Sequence, residues 1–113
     1  MPHCIIEYSA DVESQTSAKT LIGQVQAGAL ASNLFEPEHI KLRTCCFDHS
    51  RIGTSAKGFI HVTARVLSGR TLEQRQHLSN CLLKTLQNMS LQELSLTVEI
   101  IEMERESYNK CIV

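Results

Sequence analysis

The sequence predicts a two-layer α+β domain in which a tandem β-α-β repeat builds a four-stranded sheet with two helices on one face. Three observations predict it. Extended, β-branched runs alternate with helical stripes in the order β-α-β then β-α-β over 113 residues. The halves are nearly equal, with strand starts near residues 3 and 59, which reads as an internal duplication. The length suits one domain, residues 1–113, and the 42% hydrophobic share is that of a packed globule rather than a disordered chain.

Residues 3–9 (HCIIEYS) read as a strand that Ala10-Asp11 ends. From about Ser14 to Leu34, Ala18, Leu21, Ile22, Val25, Ala29 and Leu30 recur at three- and four-residue steps, a helix stripe. Pro37 forbids its continuation. In residues 39–48, Ile40 and Leu42 alternate with Lys41 and Arg43 at strand period. Residues 49–58, with Gly53 and Gly58 among small polar residues, read as a loop, and Phe59–Leu67 as the next strand. Ser68-Gly69-Arg70 breaks it, and Thr71 followed by Gln74 has capping-box spacing. Leu78, Leu82, Leu86 and Met89 then stripe a helix to about residue 88 or 89, and Ser95–Met103 alternates as a final strand. Crossovers of this kind leave strands parallel within each half and both helices on one face. The other face then lacks cover in a monomer, which predicts an oligomer.

Eleven basic and 12 acidic residues leave a net charge of −1, which argues against a nucleic-acid or anionic-membrane partner. Aromatics are 4% with no Trp, so a base-stacking platform is not expected. No apolar run approaches the ~20 residues that cross a bilayer, and the start lacks signal-peptide character, so a cytoplasmic address is expected. Cys4, Cys45, Cys46, Cys81 and Cys111 form no CxxC pair, and Cys45 and Cys46 would face opposite sides of a strand. They read as reduced thiols without a metal.

Pro2 is the most informative residue. A small residue after Met1 permits removal of the initiator, leaving a secondary amine at the start of a strand. An α-amino group has a pKa of ~7.7–8.0, and burial or a nearby cation lowers it toward a neutral base. Such a base suits proton abstraction beside a carbonyl. Spacing alone favours the plainer reading, a proline that merely starts a strand, where its missing N–H costs nothing.

MPHCIIEYS at the start, HIKLR near residue 40, FIHVTARVLSGRTLEQRQ at residues 59–76 and LSLTVEIIEM near the end resemble the 5-carboxymethyl-2-hydroxymuconate Δ-isomerase family of the tautomerase superfamily. The resemblance spans nearly the whole chain. It implies a cofactor-independent enzyme with no metal, an intramolecular oxidoreductase that interconverts keto and enol groups and transposes a C=C bond. The amino-terminal proline would act as general acid/base for a 1,3-proton shift in a 2-hydroxymuconate-type carboxylate from aromatic catabolism, within a homotrimer. Pro2 carries over as the base, and Arg70 as the arginine that contacts a substrate carboxylate or the developing enolate oxygen. A guanidinium grips a carboxylate with two parallel hydrogen bonds and stays charged, and a cation near the amine also keeps that amine neutral.

The family's second strand reads Ile-Arg-Ser-Arg, whereas this chain has Ile40-Lys41-Leu42-Arg43. Lys41 and Arg43 are the expected substrate-binding pair on one strand face, Lys41 as a point charge without bidentate geometry. A charged pair on a solvated strand face fits the same residues. His3 and His61 match family positions and read as hydrogen-bonded structural histidines, with His3 turned away from Pro2 by alternation. His39, His49 and His77 show no metal spacing, Asp48 reads as a loop residue, and nothing in spacing assigns Tyr8 or Ser9 to a pocket. Two alternatives stay open: a keto–enol tautomerase of another 2-oxo acid, and a non-catalytic trimeric binding protein.

Overall fold

The computed structural model describes residues 1–53 and 55–113. The first extended run forms strand β1, His3–Ser9. The tight turn after it buries Val12 completely, so residues Ala10–Ser14 form a short 3-10 helix rather than the start of the long one. Helix α1 therefore begins later than the stripe alone suggests, at Ala18–Ala31, because the Ser17 hydroxyl accepts the Thr20 N–H at 3.1 Å. Asn33, in the left-handed region at φ 59°, lies just beyond its end, four residues ahead of Pro37.

Pro37–His39 coils into a second short 3-10 helix, which trims the second strand to Lys41–Phe47, β2. The expected loop at 49–58 gives way to β3, Gly58–Leu67, one residue early, and its Thr54 lies outside the described residues. Helix α2, Leu72–Gln87, carries the expected capping box: Thr71 Oγ1 accepts the Gln74 N–H at 3.1 Å and Gln74 Oε1 accepts the Thr71 N–H at 2.9 Å. The last strand, β4, spans Leu94–Met103.

The sheet order is β2-β1-β3-β4. β1 and β2 run parallel, as do β3 and β4, and the two halves join through the antiparallel β1–β3 pair. Alternation decides the faces. Cys4, Ile6 and Tyr8 of β1 and Ile60, Val62, Ala64 and Val66 of β3 turn toward the helices and are buried with Leu21, Val25 and Ala29 of α1 and Leu78, Leu82 and Leu86 of α2. Each fully buried leucine contributes roughly 1.5–3 kcal/mol. The helices approach closely at Gly28, where an added Cβ would lie 3.1 Å from the Cys81 carbonyl oxygen.

The opposite face carries no helix. Register places Ile5, Glu7, His61, Thr63, Arg65, Thr97, Glu99 and Ile101 there. This face is more polar than an apolar surface awaiting a partner. His61 Nε2 donates to Glu99 at 3.0 Å, its Nδ1 lies 2.7 Å from the Thr97 hydroxyl, and Thr63 donates to the same carboxylate at 3.3 Å. The His61 hydrogen bond holds the Glu99 carboxyl below the ordinary carboxylate range. His61 is thus a hydrogen-bonded residue, in line with its sequence reading.

Of the cysteines only Cys4 is buried, and desolvation pushes its thiol up to about 11; Cys45, Cys46 and Cys111 are exposed, and all are free. Among the described residues no helix is long and apolar enough to cross a membrane, and no group of three His, Cys, Asp or Glu is placed to hold a metal ion.

Candidate active site

The chain terminus is fixed by β1. Pro2 is fully buried on the helix-covered side, and its carbonyl accepts the Lys41 N–H at 3.0 Å, so the start of β2 clamps the first residues. Beside the terminus lies a cavity of about 210 Å³ lined by Met1, Asn33, Leu34, Phe35, Glu36, His39 and Arg70.

Arg70 enters this cavity from the turn between β3 and α2. Gly69 makes that turn with φ 116°, a conformation L side chains rarely adopt, and Thr71 starts the helix immediately after. Half-buried Arg70 is held on two sides. Its Nη2 donates to the Leu34 carbonyl at 3.0 Å, and its guanidinium carbon sits 4.8 Å above the centre of the Phe35 ring. No carboxylate pairs with it among the described residues, so further N–H donors remain for a ligand. Replacing Gly69 by alanine should lower stability by about 1–3 kcal/mol through backbone strain and displace Arg70. Chemical denaturation together with the affinity for a carboxylate checks this; unchanged values for both would refute the role given to the turn.

Lys41 brings a second cation. Its ammonium is buried and has no hydrogen-bond partner. Such a group is costly unless a counter-charge arrives. The Met1 amine is held below the ordinary α-amino range first by desolvation, then by Arg70, Lys41, Arg105 and Lys110. Arg43 stands apart. It is exposed on the open face, where its Nη1 donates to His3 Nδ1 at 3.3 Å. A guanidinium only donates, so Nδ1 accepts, and His3 Nε2 carries the proton that it donates to the Tyr108 hydroxyl at 2.9 Å. Burial, then Arg43, lowers the His3 pKa and keeps the ring neutral. Arg70 and Lys41 both act on the terminal amine, while register leaves Lys41 and Arg43 on one sheet face with His3.

A larger cavity of about 430 Å³ lies at the far end of β1, among Ser9, Asp11, Gln15, Asp48, Lys57 and Glu93. Its Lys57 is already paired with Glu93 at 3.2 Å, leaving acids that repel an anion. The smaller cavity is lined by Arg70, which has no ion-pair partner among the described residues.

A model of the family described as 5-carboxymethyl-2-hydroxymuconate isomerase matches residues 2–112. The chain belongs to this isomerase family. No curated protein matches the sequence in a direct comparison. Among solved structures, a 5-carboxymethyl-2-hydroxymuconate delta-isomerase superposes with a TM-score of 0.82 at 15% identity, covering 100% of this chain and 89% of that one. The 5-carboxymethyl-2-hydroxymuconate isomerase from Deinococcus radiodurans R1 gives 0.82 at 20% identity, with 97% and 88% covered. A fused 4-OT wild type symmetric trimer gives 0.66 at 15% identity, with 88% and 85% covered. These likenesses establish the tautomerase fold, and membership in the isomerase family makes the chain an isomerase or tautomerase.

Several residues around the smaller cavity had no signal in the sequence. Asn33, Leu34, Phe35, Glu36 and His39 come from the α1–β2 connection. Phe35, one of only 3 phenylalanines, was the one available hint of a ring for a cation to stack on. Arg105, Tyr108 and Lys110 belong to the polar tail, and only folding brings Arg105 to Ser68, Tyr108 to His3 and Lys110 to Met1.

Proposed function

We propose that the chain is a cofactor-independent isomerase in which Pro2, freed by removal of Met1, is the general acid/base for a 1,3-proton shift in a 2-hydroxymuconate-type carboxylate. The observation that carries this reading is the chain terminus itself: it borders a cavity lined by Arg70, which has no ion-pair partner among the described residues, and the orphaned Lys41 ammonium acts on the same terminal amine. Burial and the cations that hold the Met1 amine down act in the same direction on a prolyl amine at that end of the chain.

In this reading the neutral Pro2 nitrogen takes a proton from the substrate. The electron pair left behind spreads through the conjugated chain onto the 2-oxo oxygen, giving a dienolate, and the prolinium returns the proton to a carbon two bonds away. Atoms and charge balance within one molecule, so no co-reactant is needed. Arg70 holds a carboxylate or the enolate oxygen, and Lys41 supplies positive charge at a second point. Arg43, through His3, steadies the first strand. The likeness to a protein described as a symmetric trimer supports a homotrimer.

Lys41 also favours a second reading, keto–enol tautomerisation of a different 2-oxo acid. A lysine gives up the planar grip that would select one carboxylate geometry.

The test is intact mass of protein from its native host, followed on the same sample by a ketonisation assay across pH. The base works deprotonated, so kcat/KM should rise with pH through the amine pKa. The midpoint of that rise should lie below the ~7.7–8.0 of an ordinary α-amino group. Retained Met1, decay no faster than buffer, or a midpoint at or above 8 would each overturn the proline assignment. Faster turnover on a monocarboxylate enol than on the muconate would favour the second reading.

A further inference from the structure

Beyond β4 the chain turns back as a strap beside the Ser68–Arg70 turn and the start of β1. Ser68 donates its N–H to the Met103 carbonyl at 2.9 Å. The Arg105 side chain donates to the Ser68 carbonyl from Nε at 3.2 Å and from Nη2 at 3.0 Å, tying the strap to the turn that carries Arg70. Three residues later Tyr108 meets His3, with the rings edge-on at 6.0 Å, tying the strap to the strand that carries Pro2. Two more residues bring Lys110 over the terminus, where its ammonium lies 4.0 Å from the Met1 sulfur.

Lys110 forms no ion pair among the described residues. A thioether is a weak acceptor. That one neighbour also disappears when Met1 is removed. Without Met1 the ammonium has no ion-pair partner among the described residues, and the two anchors still hold the neighbouring segment at that end of the chain.

We propose that Lys110 is a substrate-binding residue that sets specificity, taking the carboxylate distant from the one Arg70 holds and so favouring dianions over monoanions. The proposal rests on the reading of the Pro2 terminus as the reacting end of the site. Arg70 and Lys110 approach the terminus from different segments, the β3–α2 turn and the C-terminal strap. Two cations so separated fit a ligand with charge at both ends better than one with a single charge.

The probes are trans,trans-muconate and sorbate, which share a six-carbon diene and differ in one terminal carboxylate. Calorimetric titration of the Met1-free protein should find muconate binding at least fivefold tighter. Lys110→Gln should weaken muconate about fivefold, the size of one exposed ion pair, and leave sorbate within twofold. Lys110→Arg should keep the preference. Equal losses for both ligands, no loss for either, or no dianion preference in the parent protein would overturn the proposal. Binding needs no turnover, so the two readings fail separately. Lys110-dependent muconate binding without dienol turnover refutes the isomerase mechanism and keeps Lys110. Turnover with unaltered muconate binding in the glutamine variant refutes Lys110 alone.

Discussion

Replacing Pro2 by alanine should lower kcat by about 10²–10⁴-fold, the range attributed to a positioned general acid/base, with the fold unchanged. The size follows from what the ring does. Pro2 is fully buried and its carbonyl is clamped by the Lys41 N–H, so the ring holds its nitrogen in one place beside the cavity. An alanine amine is still a base, but it can rotate and hydrate, losing alignment with the proton it must take. The decisive control leaves every side chain in place. In protein that keeps Met1 the Pro2 nitrogen is an amide, its lone pair drawn into the peptide bond. That sample should show buffer-level turnover, and trimming Met1 should restore it. Turnover at the processed rate with Met1 retained would refute the assignment, whatever the alanine variant does.

Arg70→Ala should cost about 10²–10³-fold in kcat, as for removal of one donor to a developing oxyanion. The loss should divide in an informative way. Binding of a carboxylate falls because the guanidinium is gone. The pH at which activity rises should move upward, since Arg70 is the largest cationic influence holding the terminal amine down. Arg70→Lys should recover part of the pH effect and less of the rate, because an ammonium restores charge without the paired donors. Arg70 also donates to the Leu34 carbonyl and stacks on Phe35, so the alanine variant should lose roughly 1 kcal/mol of stability. A melting curve separates that loss from the catalytic one. An unchanged pH profile would remove Arg70 from the surroundings of the base, even if the rate fell.

Most of the framework was legible because it rests on short-range rules. The capping box at Thr71 and Gln74 is a four-residue pattern, and it formed with both bonds. The Leu78, Leu82 and Leu86 stripe is a helical period, and all three are buried. The start of α1 was less legible. Val12 drew the chain into a 3-10 turn because core space lay beneath it, a fact about packing that no local pattern carries. The cysteines show the same limit: Cys4 alone went inside, decided by which strand became central and which an edge.

The candidate site divides along the same line. Residue order alone was enough for the two β-α-β units, the strand faces, and the single residues worth testing, Pro2, Arg70, Lys41 and Arg43. Each was visible through its position at a strand start or turn, or through the family resemblance. Only the tertiary structure decided which charges share a space. Register set Lys41 opposite His3 and Arg43 opposite Ile5, both on the open face, and put Arg43 in reach of His3. The antiparallel joining of the halves carried the end of β3, and with it Arg70, back to the start of β1. The strap brought Arg105 and Lys110 to a terminus more than a hundred residues away in the chain. Periodicity acts over a few residues and is written locally. Electrostatics acts through space, and the distances that govern it exist only once the chain has closed on itself.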